Sequence, residues 1–174
     1  MADGILKVGT ITNSAGSGNI TIGSGVTLQS NVPAFVVRKS SNQTISDYTT
    51  TKVTFDTELI DTDSAFASDK FTVPSGAAGK YYLYTKLYLG AAGNANFDTG
   101  EVRFYLNGSS IDYNVVDLRS NPGHQVTVNA SLILDLSVGD YVEIYAAIDD
   151  TSGSPLVAGS SDYRSTFLGY RIGA

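Results

Sequence analysis

The sequence predicts an all-β protein folded as a sandwich or barrel, and three observations carry that prediction. About ten short runs alternate apolar and polar residues at a spacing of roughly 8–12 residues. Turn formers such as Asn107-Gly108 and Asn121-Pro122-Gly123 stand between the runs. No segment repeats its apolar residues at the helical period of about 3.6. Eighteen glycines and eleven tyrosines, with abundant Thr, Ser and Val, agree with this class.

Residues 1–32 differ in kind from the rest. They are built from Gly, Ser, Thr, Asn and short aliphatic pairs, and two phrases nearly repeat: Val8-Gly9-Thr10-Ile11-Thr12 and Asn19-Ile20-Thr21-Ile22-Gly23. Each is an alternating strand too small to bury its own apolar face. The expected organisation is therefore an extended N-terminal arm, residues 1–32, followed by a domain over residues 33–174. The apolar residues through which the arm would attach to a larger body are Ile5, Val8, Ile11, Ile20, Ile22, Val26 and Leu28.

From Pro33 onward the strands follow in order. Ala34–Arg38 opens the series, Gln43–Tyr48 and Thr51–Phe55 follow, and the acidic run from Asp56 to Asp63 reads as a loop. Phe66–Val73 reads as one strand closed by Pro74-Ser75-Gly76. Gly79–Leu89 is the central strand. One of its faces carries Tyr81, Leu83, Thr85, Leu87 and Leu89, and the other Lys80, Tyr82, Tyr84, Lys86 and Tyr88. The first face suits a core. The second is too apolar for plain solvent and too polar for a dry interior, which suits contact between subunits. Glu101–Leu106 and Ile111–Leu118 form a hairpin about Asn107-Gly108. Gln125–Leu136 then returns through Ser137-Val138-Gly139-Asp140 as Tyr141–Ile148. After a loop over 149–162, Tyr163–Ile172 closes the chain.

Composition excludes several functions. The formal net charge is -6 and the pI about 4.5, so no basic footprint exists for phosphates and no nucleic-acid partner is expected. Cysteine is absent, which removes disulfides and thiolate metal sites. Met1 to Gly9 lack a basic region followed by an apolar run, so no signal peptide is expected. No apolar stretch approaches the roughly 20 residues of a membrane helix. His124, the single histidine, sits by a Pro-Gly turn without a G-x-S-x-G elbow, and nothing favours any carboxylate pair, so no enzyme activity is expected. Asp56, Glu58, Asp61 and Asp63, and Asp149-Asp150, match no cation-loop spacing and read as solvated surface rather than metal ligands. The glycine clusters near residues 16–25 lack the lysine of a phosphate loop and read as turns. No cofactor is expected.

Three phrases resemble the globular head shared by complement component C-one-q and the tumour necrosis factor superfamily. Phe71-Thr72-Val73-Pro74 with Gly79-Lys80-Tyr81-Tyr82-Leu83 is similar to the family's "F-x-V-P-x-x-G-x-Y-x-F" block. Leu132 to Val142 (LILDLSVGDYV) is similar to its "L-x-L-x-x-G-D-x-V" hairpin, and Ser165 to Ile172 (STFLGYRI) to its "S-x-F-x-G-F-x-I" ending. The resemblance spans roughly Pro33 to Gly173 and implies a ten-stranded jelly roll assembled as a homotrimer. On that basis the expected trimer interface comprises Tyr82, Tyr84 and Tyr88 with Tyr105, Tyr141 and Tyr145. The leader lacks the Gly-X-Y period of a collagen stalk. It resembles the Gly/Thr/Ile arms that head virion proteins of tailed bacteriophages. Together these imply a structural virion protein on the particle surface: a trimeric capsid decoration anchored on the major capsid protein or another virion protein through its arm. The alternative is a tail-fibre or tail-tip domain that binds a host surface glycan through loops such as 90–100 and 152–162.

Overall fold

The computed structural model describes residues 32–91, 97–151 and 154–173, together with Ser24. The chain divides into two units, Met1–Asn31 and Val32–Ala174. The expected attachment residues Ile5, Val8, Ile11, Ile20, Ile22, Val26 and Leu28 lie outside the described residues.

The second unit is built of strands, and the described residues contain no helix. In chain order the strands are β1 (Ala34–Arg38), β2 (Gln43–Thr44), β3 (Thr51–Lys52), β4 (Thr57–Asp61), β5 (Phe66–Ala67), β6 (Lys70–Thr72) and β7 (Gly79–Ala91). There follow β8 (Phe97–Leu106), β9 (Ser109–Asp117), β10 (Gln125–Leu136), β11 (Tyr141–Asp150), β12 (Pro155–Val157) and β13 (Thr166–Gly173). They form two antiparallel sheets. In the larger, β7 pairs with β10 along one edge and with β13 and β12 along the other; β1 and then β4 continue from β13, and β2 lies beyond β12. In the smaller, β11 pairs with β8, which pairs with β9, while β3, β6 and β5 occupy its other side.

The sheets close on one core, as a jelly-roll sandwich does. Tyr81, Leu83, Leu87 and Leu89 of β7 contribute to it from one sheet. Val102 and Phe104 of β8, and Val142, Ile144, Ala146 and Ile148 of β11, contribute from the other. Around Phe35 the rings interlock: Phe71 stacks on it with centroids 4.6 Å apart, and Phe167 meets it edge-on at 4.8 Å. Such pairs add about 0.5–1.5 kcal/mol each beyond area burial. Several polar groups in this interior are matched. Tyr81 donates its hydroxyl to Ala77 O at 2.7 Å, Thr85 Oγ1 donates to Thr166 O at 3.0 Å, and Lys39 Nζ donates to Thr54 O and Oγ1 at 2.9 Å.

The turn chemistry explains two of the family-like phrases. Asn107 and Gly108 take φ of 50° and 82°, the mirror-image turn that an Asn-Gly pair favours. Asp140 then ties two turns together: its Oδ1 accepts from Asn107 Nδ2 and its Oδ2 from Ser137 N–H, both at 2.8 Å. Those two bonds, Asn107's first, hold its carboxyl below the ordinary aspartate range. In the terminal phrase, Gly169 faces inward. A Cβ there would stand 2.5 Å from Leu83 Cδ2 and 2.7 Å from Phe35 Cε1.

Thirteen strands stand among the described residues where ten are expected, and the differences have physical causes. The expected strand over 51–55 pairs only at Thr51–Lys52. Thr54 N–H is taken instead by Gln43 Oε1 and Phe55 N–H by Asp69 Oδ1, so side chains replace the ladder. The expected strand over 43–48 stops at Thr44, and the chain turns where Thr49 N–H reaches Ser46 O. The run 66–73 is two strands, because Ser68 and Asp69 adopt left-handed φ of 52° and 58°. The acidic run is no loop: Thr57–Asp61 pairs with β1, with a bulge between Val36 and Val37. The expected loop over 149–162 contains β12, and the last strand begins at Thr166 rather than Tyr163, whose φ is 57°.

Two tests follow from these contacts. Gly169→Ala should destabilise the domain by about 1–3 kcal/mol through overpacking, measured by chemical denaturation. The second concerns Asp56, whose carboxyl burial alone would raise. Bonds from the N–H groups of Ser40 and Ser41 and the Ser41 hydroxyl outweigh that and hold it well below the ordinary range. A depressed folded pKa contributes stability above the unfolded value of about 4, lost as pH falls. Asp56→Asn should therefore lower Tm at neutral pH and flatten its decline between roughly pH 5 and pH 2.

Candidate functional site

The outward face of the larger sheet follows from the same alternation that fills the core. Cross-strand register sets Ile133 of β10 beside Tyr82 of β7, Tyr82 beside Tyr170 of β13, and Tyr170 beside Ala34 of β1. One step along, Tyr84 lies beside Leu168, Leu168 beside Val36, and Val36 beside Ile60 of β4. The result is an apolar and aromatic stripe crossing five strands. Ile133 is 59%, Ile60 49% and Tyr170 45% exposed, although such side chains ordinarily seek burial. The Tyr82 and Tyr170 rings lie 5.5 Å apart and tilted. Polar groups mark the ends of the β7 face. Lys80 pairs with Asp135 at 3.8 Å at one end; at the other, Tyr88 donates its hydroxyl to Gln125 Oε1 beneath the Arg164 guanidinium.

The outward face of the smaller sheet has a different character. Tyr105 and Tyr145 stack with centroids 4.0 Å apart, and Lys70 Nζ lies 4.3 Å from the Tyr141 ring centre. Charged groups around them are paired: Lys52 with Glu143 at 2.7 Å, and Arg103 with Glu101. Burial, followed by the nearby Glu143, raises the Tyr145 phenol.

The six tyrosines expected at one interface thus fall into two groups. Tyr82, Tyr84 and Tyr88 share the outer face of the larger sheet, while Tyr105, Tyr141 and Tyr145 share the outer face of the smaller one, with the core between. One flat contact does not contain all six. Val36, Ile60, Ile133, Leu168 and Tyr170 join the first group, although the alternation within β7 does not point to them. Their signal lies in their own strands: each is an apolar residue at an outward phase, as Ile133 is among Thr127, Asn129, Ser131 and Asp135.

Several of the acidic positions have structural partners. Asp61 accepts N–H bonds from Ala65 at 2.9 Å and Phe66 at 2.8 Å, closing the turn after β4. Burial, then Asp47 and Asp98, raise the Asp149 carboxyl, against the opposing pull of Arg119. No group of three His, Asp or Glu able to hold a metal ion occurs among the described residues. His124 lies exposed in its loop.

No family model matches the chain, and no curated protein is similar to it in sequence. Among solved structures it is similar to the globular domain of zebrafish complement 1qA protein. The TM-score is 0.57 at 20% identity, over 80% of this chain and 97% of that one. The likeness is one of fold. The two antiparallel sheets, with β7 central in the larger, are consistent with the jelly-roll sandwich of that domain.

Proposed function

We propose that this chain is a non-enzymatic structural protein that assembles as a homotrimer through the outer face of its larger sheet. In this reading it decorates the surface of a tailed-bacteriophage particle, anchored there by residues 1–32. The observation that carries self-association is the apolar stripe from Ile133 to Ile60. A contiguous apolar surface of this kind marks an interaction site on a soluble protein. Its occupant is a second copy of the chain, because both ends of the stripe are apolar. Cyclic closure about a three-fold axis needs two unlike edges that fit each other. The β10 side, with Ile133, and the β1–β4 side, with Val36 and Ile60, supply such a pair. Tyrosine between them buries rings and keeps its hydroxyls hydrogen-bonded, as interface cores favour. The virion context draws on the composition of the leader, whose repeated short strands can add to a neighbouring sheet. Three arms on one trimer would bind with avidity.

Light scattering of the full chain should give a mass about three times 18.3 kDa. Tyr84→Asp, which places a charge in the middle of the stripe, should give monomers or aggregates; an unchanged trimer would refute the axis assignment. Removal of residues 2–30 should leave a soluble trimer that no longer joins particles. A shortened chain that still decorates them would remove the role given to the arm.

A further inference from the structure

On the smaller sheet, away from the apolar stripe, two adjoining depressions of about 110 Å³ and 220 Å³ share the residues Tyr48, Thr99, Glu101 and Asp149, with Asp117 and Arg119 at the rim of the larger. We propose that they form one binding site for a neutral pyranose, with the Tyr48 ring as its stacking platform.

Tyr48 is the observation that carries this. Its side chain is 78% exposed, so the ring contributes almost nothing to the core. Its φ is 52°, a left-handed conformation that an aromatic residue adopts only under strain. Gly or Asn would occupy that backbone at lower cost. The conformation is nevertheless fastened from both sides: Tyr48 N–H donates to Ile148 O at 2.7 Å, and Asp47 Oδ1 accepts from Asp150 N–H at 2.8 Å. The backbone that carries this solvent-facing ring is thus fixed beside a polar hollow.

The rim decides the ligand class. Glu101 is ion-paired with Arg103, and Asp117 with Arg119. Each pair holds planar carboxylate and guanidinium groups in set positions, suited to the neighbouring hydroxyls of a sugar ring. Both guanidiniums are engaged and Asp149 adds a third carboxylate, so an anionic ligand would meet net repulsion. A ligand whose binding rested on positive charge would have to displace a guanidinium from its partner. A neutral ring with a hydroxylated rim and an apolar C–H face fits both the charged edge and the tyrosine. Small-molecule sites combine an apolar surface and a few placed polar groups in this way. The depressions lie on the sheet opposite the apolar stripe, so the site is independent of self-association and a monomer would carry it too.

Saturation-transfer NMR on the full chain tests this. The probes are D-glucose, D-galactose, D-mannose and N-acetyl-D-glucosamine at about 10 mM, with N-acetylneuraminic acid as the anionic probe. At least one neutral sugar should receive transfer and the anionic one should not. Tyr48→Asn keeps a residue at ease with left-handed φ while removing the ring, and should weaken binding about tenfold or more. Ile111→Ser, at an exposed position of β9 on the same sheet and outside the depressions, should bind as the parent does. The proposal is overturned by no transfer to any neutral sugar, by transfer to the anionic sugar alone, or by unchanged affinity in Tyr48→Asn.

Discussion

The two faces of β7 cannot be chosen separately. The strand is paired along both edges, with β10 on one side and β13 and β12 on the other, and its side chains alternate. A slip of one residue would send Tyr82, Tyr84 and Tyr88 into the interior and expel Leu83, Leu87 and Leu89. Sealing the core against β8 and β11 therefore fixes which residues look outward. The exposed tyrosines are the other half of the same placement.

How legible each element is in the chain depends on how strongly the phase of its residues is constrained. The long strands β7, β10 and β11 alternate over many residues, so their inward sets stand out in the bare sequence. Short pieces are harder, because side chains stand in for the ladder. Gln43 and Asp69 satisfy Thr54 and Phe55, and no propensity announces that. The split between β5 and β6 rests on left-handed Ser68 and Asp69, a pair without the usual glycine. The strand β4 is hidden by its acids, since charge reads as loop. The tyrosine face is legible along β7 alone; its extension to Ile133, Leu168 and Ile60 needs the cross-strand register, which no single segment contains.

The sandwich offers two outer surfaces of contrasting chemistry. One is a broad apolar stripe, flanked at the two ends of β7 by the Lys80–Asp135 pair and by Arg164. The other sets stacked and cation-capped tyrosines among paired charges, beside a polar hollow at Tyr48. Burial of the first against copies of the chain would leave the second in solvent, so the proposed assembly and the proposed sugar site make no competing demand on the same residues.

Among the described residues the larger sheet ends at β4, where a bulge interrupts the pairing with β1 and Glu58 and Asp61 bring negative charge to the last strand. A flat, uncharged final strand would invite the next molecule to zip on, and the next after that. Here growth in that direction meets repulsion and a broken rhythm of hydrogen-bonding groups. Strand-to-strand fusion of copies into endless ribbons is thereby discouraged, while the outward side chains of the sheet keep their own surface.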